Sequence, residues 1–594
     1  FCEMKKLNIY YIYIYLFAFI IKESKNFLIK FSRIYTVYFK YYNIFKFIIF
    51  QFDKNINPSN EKTFIEFINK NKKLWNQRKK KLNSKKKKIL ITSFVHFHPA
   101  YPYANCIIGK YIEEYYDSEL IGFCDSYDYL SEVIMRSFGV NKFYYLYEKN
   151  FFIRGYYFFL AIRILKNIKN INEFINFEYN KIDLGKIVYD DVLRKTGHPT
   201  LNKISFMLIY HLSQALNKSD QYKKILKKIN LDSIVQSETQ FIPSAIIFQQ
   251  TLRKNIKVYS REGAGKKMSI KKFSSFSERY TSRDEPPKNI FDIIYNNSRK
   301  LTAKLGYKLI KDRLRGHTKE DDVRDSKWAH QSKKNYSKKE ICKKFNWDVK
   351  KPIILIFSHS LIDGNFSYGA RIFKDNLTWL RETLLQIKNI DKFNWMIKPH
   401  PMDWYYKFAK TTTENEFMKI AGQKQHIKIC PKNISSISLS KISKAIVTSH
   451  GTVSIEYVCL GIPAITAGRT SFSYLDINYR ASSKNRFFYY LNNIEKLAKP
   501  NKIQIAKARI YSYMYSAVLK TNNNLIPNFI NTRDVDRKKF FKDCISLIVK
   551  YSHKTDEFKK MVFHQFNKNS SQTINLNILK KDLKIKDNKY YDIK

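Results

Sequence analysis

Two short stretches of this chain carry residues that could grip an anion. Lys398-Pro399-His400-Pro401 sets an ammonium and an imidazole about a rigid proline turn. About fifty residues later come Thr448-Ser449-His450-Gly451-Thr452-Val453-Ser454-Ile455-Glu456, closed by Gly461-Ile462-Pro463. Hydroxyl residues about a glycine turn, opening a helix, bring N–H groups and a positive helix end to one point, as phosphate binding requires. Ser449, His450, Gly451, Thr452 and Ser454 are the candidate phosphate contacts. His400 would donate to the same phosphate, and Lys398 and Arg469 would add charge. Glu456, in the first turns of the helix, would accept from ribose hydroxyls, as carboxylates do in nucleotide sites; the plainer reading is a charge that satisfies the helix dipole. Gly461 and Pro463 end the helix.

These residues need strands and helices to hold them. Ala445-Ile446-Val447 reads as a buried strand, Val453–Leu460 as a helix and Ala464-Ile465-Thr466 as the next strand, which is one βαβ step. The same rhythm runs back through strands at 353–357, 395–398 and 426–430 and helices at 375–387 and 436–444. Between them stands the loop Ser358-His359-Ser360-Leu361-Ile362-Asp363-Gly364. An earlier half shows strands at 89–94, 119–124, 231–237 and 256–260, with helices at 105–116, 151–171 and 242–253. The predicted fold class is α/β: two Rossmann-like doubly wound domains facing across a cleft. Expected boundaries are an aromatic, basic extension over 1–84 and an acceptor-side domain over 85–265. A polar helical connection over 266–345 and a donor domain over 346–520 follow, then a helix and basic tail over 521–594. Ser93 lies near the end of the first strand, and His96 and His98 in the loop after it. Asp190, Asp191 and Arg194 read either as acceptor contacts or as a salt-bridged helix. Arg261-Glu262-Gly263-Ala264-Gly265 follows a strand and is a cleft candidate.

The chain has 594 residues, 108 Lys plus Arg and 51 Asp plus Glu, for a formal charge of +57. That favours anionic partners. Lys, Asn, Ile, Tyr and Phe are abundant together, as an AT-rich genome would produce, and no compact nucleic-acid motif accompanies the charge, so no specific nucleic-acid partner is expected. Seven scattered Cys without a C-x-x-C read as free thiols in a reducing compartment. Leu7–Ile21 is an uncharged run of 15 residues, short of the roughly 18–20 that span a bilayer. It reads as an interfacial anchor or as a segment packed on the body. Lys70–Lys88 holds 11 basic residues and no acid, reading as a solvated linker or a patch for an anionic membrane. A cytoplasmic protein, peripheral at the inner membrane face in the anchored reading, is expected. The basic end, Asn567–Lys594, is expected to be disordered or to meet a partner or membrane.

Lys398-Pro399-His400-Pro401 with Thr448–Glu456 and Gly461-Ile462-Pro463 resembles the capsule polysaccharide biosynthesis family, which includes the capsule Kdo transferases. Phe357-Ser358-His359-Ser360 with Asp363 and Tyr368-Gly369, Ala467-Gly468-Arg469, and Tyr189-Asp190 with Leu193-Arg194 extend the resemblance. It covers roughly residues 85–515 and is strongest over 351–475. The same motifs resemble wider two-Rossmann (GT-B) nucleotide-sugar enzymes, UDP-sugar epimerases among them. The resemblance implies transfer of a hexosyl or Kdo-type sugar from a nucleotide donor, CMP- or UDP-linked, to a surface glycan or lipid-linked glycan, with no other cofactor. It leads one to expect Arg in many relatives where His450 stands. Such transfer needs a leaving phosphate stabilised and an acceptor hydroxyl deprotonated. Asp363 is the first candidate base and His359 the second, with Glu262 and His96 from the opposite domain behind them. No D-x-D stands where this architecture would hold a metal, so metal-independent chemistry is expected. The competing readings are a sugar-nucleotide epimerase and a non-catalytic glycan-binding or assembly protein.

Overall fold

The computed structural model describes residues 58–76, 87–95, 98–126, 128–147, 151–262, 265–317, 333–369, 371–404, 406–527 and 536–583. The run Leu7–Ile21, most of the basic stretch after Asn76, His96, and Gly263 and Ala264 lie outside them.

The first sheet begins with β1 (Lys87–Ser93), β2 (Ser118–Asp125), β3 (Lys142–Leu146), β4 (Ser233–Val235), β5 (Lys257–Glu262) and β6 (Lys267–Phe273). The second holds β7 (Ile353–Phe357), β8 (Asn394–Lys398), β9 (Ile427–Ile429), β10 (Ser443–Thr448), β11 (Ala464–Thr466) and β12 (Tyr479–Arg480). A last short strand, β13 (Thr521–Asn522), returns to pair antiparallel with β6. The sheet orders are β13-β6-β5-β4-β1-β2-β3 and β12-β11-β10-β7-β8-β9. From β1 to β5 and from β7 to β12 every pairing is parallel. The second sheet thus has the doubly wound order 3-2-1-4-5-6, and β1–β5 follow 3-2-1-4-5. The chain has the expected architecture of two Rossmann-like domains across a cleft.

The apolar runs explain the layers. Along β7, Ile354 and Ile356 face a core with Trp379, Leu380 and Trp395. Ile353 and Leu355 face the other way, into a core with Ile446, Ile455 and Tyr457. Parallel strands buried on both faces must be apolar at successive positions, because helices cover each side. In such a fold, ligands sit beyond the carboxyl ends of the strands where the order reverses. In the second domain that point lies between β7 and β10, so the loops after Phe357 and Thr448 form the crevice.

The stretch expected to be a polar connection is corrected. Its first part, β6, belongs to the first sheet, paired antiparallel to β5 over Val258–Phe273. Lys271 and Lys272 are buried along it because their ammonium groups reach Thr281, Ser282 and Asn569 oxygens at the ends of their stems. The helix Lys288–Leu314 follows, broken at Ser298, and packs along Lys502–Tyr513. The two backbones meet so closely at Gly306 that a Cβ there would lie 1.8 Å from the Arg509 carbonyl oxygen.

The chain ends return to the first domain. Phe64, Phe67 and Trp75 of the helix Pro58–Asn76 share its core with Phe541, Cys544, Phe558 and Val562 from the helices Arg537–Lys550 and Glu557–Asn567. Of the basic end, Asn567–Lys594, the residues as far as 583 are described and pack on the body. Lys272 N donates to the Ser571 carbonyl and Thr573 N to that of Ile270, and Leu579 joins the second-domain core.

Candidate functional site

The cleft holds a cavity of about 660 Å³ lined by both domains and by the helix Lys288–Leu314. From the second domain come His359 after β7, Lys398 at the end of β8 and His400 after it, and His450, Gly451 and Thr452 after β10. Glu456, one turn into the helix Val453–Cys459, completes that wall. Two sequence segments fifty residues apart are therefore brought together, because β8 and β10 both flank β7.

The three histidines form a stack. The His359 and His450 rings lie 4.0 Å apart and nearly parallel, with His400 6.2 Å beyond His359. The His450 backbone N–H donates to His359 Nε2 at 3.3 Å, so His359 is neutral and carries its proton on Nδ1. Behind His450 stands Arg371, whose guanidinium donates to Ser449 Oγ at 2.6 Å and to the Asn365 carbonyl at 2.8 Å. Arg371 can only donate. Ser449 Oγ accepts from it and still has its own proton to give; turned to His450 Nδ1, 3.1 Å away, that proton selects the neutral His450 tautomer protonated on Nε2. In that orientation the imidazole is a donor. No sequence motif marks Arg371; its neighbours in the loop after β7 are unremarkable in type.

Burial, and then the nearby cations, hold both His359 and His450 well below the ordinary histidine range. The unfolded chain would take up protons on them below about pH 6.5, and the folded chain refuses them. Their linkage leaves stability whole above about 6.5 and removes it as pH falls. Asp190 runs the other way. Burial raises it to about 7, so its contribution is whole below about pH 4 and is lost as pH rises to about 7. Melting temperatures between pH 4 and 8 separate the two: His359→Gln and His450→Gln are expected to flatten the acid limb. Asp190→Asn is expected to raise relative stability near neutrality; an unchanged difference between variant and parent across that range would contradict the assignment.

The charged groups are divided between cavity and scaffold. Lys398 Nζ donates to Ser436 Oγ at 3.2 Å, and burial lowers its affinity for the proton. Glu456 pairs with Arg313 Nε at 3.2 Å, and both line the cavity. Arg313 arrives from the inter-domain helix and carries no sequence signal of its own. Asp363 lines the cavity, but its Oδ2 accepts from Arg194 at 3.1 Å and from the Tyr406 hydroxyl at 2.6 Å. Oδ1 takes no hydrogen bond from any described residue.

Asp190, Asp191 and Arg194 are occupied within the protein. Asp190 accepts the backbone N–H groups of Asn365 and Phe366 across the domain boundary, at 3.1 and 3.0 Å. Asp191 holds His211 at 2.7 Å, Lys195 at 3.0 Å and the Ile242 N–H at 3.1 Å. Beside them, Tyr189 donates to Asp375 at 2.6 Å. The helix Leu184–Thr196 clasps the two domains: Asp191 and Arg194 form ion pairs, whereas Asp190 takes backbone N–H groups and also lines the cavity.

Other sequence candidates stand elsewhere. Ser449 lies behind His450 rather than on the cavity wall, and the buried Ser454 hydroxyl donates to the Gly451 carbonyl at 2.7 Å. Arg469 is exposed, off the lining, and acts on the buried Lys271 and the half-buried Glu285. Ser93 is buried against Ser131, and His98 is buried edge-on to Tyr101. Glu262 ends β5, and its side chain, like His96, lies outside the described residues. From the first domain and the connection, Lys186, Arg279 and Arg283 line the cavity; none was singled out in the sequence, since each is an ordinary helix or loop cation there. The described residues hold no group of three His, Cys, Asp or Glu that could bind a metal.

No family model and no curated protein sequence matches the chain. Solved structures similar to it include the KpsC β-Kdo 2,4-transferase of Thermosulfurimonas dismutans, at 9% identity and TM-score 0.30, over 53% of this chain and 87% of that one. A glycosyltransferase from Rickettsia africae ESF-5 is similar at 12% identity and TM-score 0.23, over 79% and 100%. The UDP-GlcNAc 2-epimerase of Neisseria meningitidis bound to UDP-GlcNAc is similar at 10% identity and TM-score 0.20, over 78% and 98%. Values this low carry neither substrate nor mechanism over to this chain.

Proposed function

We propose that this protein transfers a hexosyl or Kdo-type group from a nucleotide sugar to a glycan or lipid-linked glycan of a cell-surface polysaccharide. One observation carries the reading: Lys398, His400, His450 and Glu456 meet at the carboxyl edge of a Rossmann-ordered sheet, beside its switch point. The donor phosphate would lie against Lys398 Nζ, His400 and the His450 Nε2–H. Those groups would stabilise the negative charge that collects on the phosphate oxygen as its bond to the sugar carbon breaks. Glu456, oriented by Arg313, would accept from the ribose hydroxyls. The acceptor hydroxyl would come from the first-domain side, lose its proton to Asp363 Oδ1 and bond to the same sugar carbon. The charge is met by side chains, and no metal ion is required in this reading.

Incubation with CMP- and UDP-linked sugars, with and without a glycan acceptor, tests it. The expected result is release of the nucleotide only when acceptor is present, with the sugar bonded to the acceptor. Acceptor-independent release of UDP with inversion at C2 would identify an epimerase instead. Glycan binding without donor binding would identify a non-catalytic protein.

A further inference from the structure

The helix Phe151–Lys166 is apolar on both sides, which a helix packed on one side only does not need. Tyr157, Phe158, Ala161 and Leu165 are buried in the first-domain core. The opposite stripe is Phe152, Tyr156, Phe159, Arg163 and Lys166, all exposed. Their spacing of four, three, four and three residues puts them within a narrow strip of the helix surface. Phe152 is 80% exposed, Tyr156 62% and Phe159 56%, with Ile153 at 38% beside them. On the neighbouring helix, Phe206–Lys228, Met207 adds a further 39% exposed side chain, held close by the contact of Phe206 with Phe158. No acid stands on Phe151–Lys166, and its last turn carries Arg163 and Lys166. Lys169 and Lys203 are exposed nearby in the sequence.

We propose that this stripe docks the protein on an anionic membrane surface. Scattered exposed apolar side chains are ordinary, but a row of three rings on one helix is not. Aromatic rings seat at the headgroup level of a membrane, and the cations beside them on the same strip can meet anionic headgroups. Charge complementarity chooses the occupant: the strip is basic, and so is the whole chain at +57, which an anionic leaflet attracts. No described helix is long and apolar enough to cross a membrane, so the contact is peripheral. The rings span about 10 Å of helix, enough to seat in the interface without entering the bilayer core. The helix follows β3, so its aromatic end lies at the carboxyl edge of the first sheet, the edge that opens on the cleft. Docking there would hold the cleft near the lipid surface. This surface is distinct from Leu7–Ile21 and from Lys70–Lys88, and it does not depend on the donor assignment.

Co-sedimentation of the full chain with vesicles tests the proposal, using phosphatidylcholine alone and phosphatidylcholine mixed with phosphatidylglycerol to give a negative surface potential. The wild type is expected to bind the anionic vesicles and not the neutral ones. Phe152→Ser/Tyr156→Ser/Phe159→Ser is expected to lose at least about tenfold in affinity, with an unchanged melting temperature because the rings are exposed. Arg163→Ala/Lys166→Ala should weaken binding more than Lys304→Ala/Lys308→Ala, an equal loss of charge on an exposed face elsewhere. Absence of wild-type binding, wild-type affinity in the ring variant, or equal losses in the two charge variants would each overturn the proposal.

Discussion

Arg371→Met is expected to lower turnover by at least about 100-fold, although Arg371 does not line the cavity. Its guanidinium holds Ser449, and through it the Nε2–H tautomer of His450, while also fixing the Asn365 carbonyl. With the guanidinium gone, Ser449 can donate elsewhere and His450 can present a lone pair where a donor is needed, which removes one phosphate contact. Asp190 and Asp375 also lose the cation that acts on both. A stability loss of about 3 kcal/mol is expected from those unmade charged hydrogen bonds. Arg371→Lys separates the two effects. A lysine restores charge but not the planar fork, so stability should recover in part while turnover stays low. Nitrogen chemical shifts of the His450 ring report the tautomer directly. A variant that is stable, active and unchanged in those shifts would remove the relay from the account.

Lys398→Met is expected to weaken donor binding by about 100-fold, close to 2.8 kcal/mol. The methionine keeps the stem packed near Phe357, where the ammonium lies 5.5 Å from the ring centre. It removes the charge and the bond to Ser436, so the loss reads the phosphate contact rather than packing. The binding of a nucleoside should change little, while that of its diphosphate should fall steeply. Equal losses for both would move the phosphate away from Lys398.

The second domain was legible from local pattern. Ile353–Phe357 and Ala445–Val447 are apolar at each successive position, which only a strand covered on both faces requires, and the glycine and proline stops bound them. The second-domain wall of the cavity was legible from the same pattern: Lys398 ends β8, His400 and His450 follow strands, and Glu456 stands in the helix after β10, at the edge where such folds hold ligands. What failed to show was long-range. Arg313 meets Glu456 from a helix read only as a connection, and Arg371 reaches Ser449 from 78 residues away. Asp363 looked like a free loop acid until Arg194, 169 residues distant, was placed against it. β6 was hidden because its buried lysines imitate a solvated segment. Charge at the end of a long stem does not reveal whether the stem is buried. Ser454 shows the opposite failure: its spacing from the glycine suits a phosphate contact, yet a backbone carbonyl one turn back takes its hydroxyl.

Binding of the donor to the cleft is the claim on which the proposed transfer depends. Its most direct test is a thermal-shift titration of the wild type, His400→Ala and Glu456→Ala with a panel of nucleotide sugars, CMP-Kdo included. The account predicts that at least one donor raises the wild-type melting temperature in a saturable way and that both substitutions abolish the shift. A full wild-type shift retained by either variant, or no shift with any donor, would contradict it.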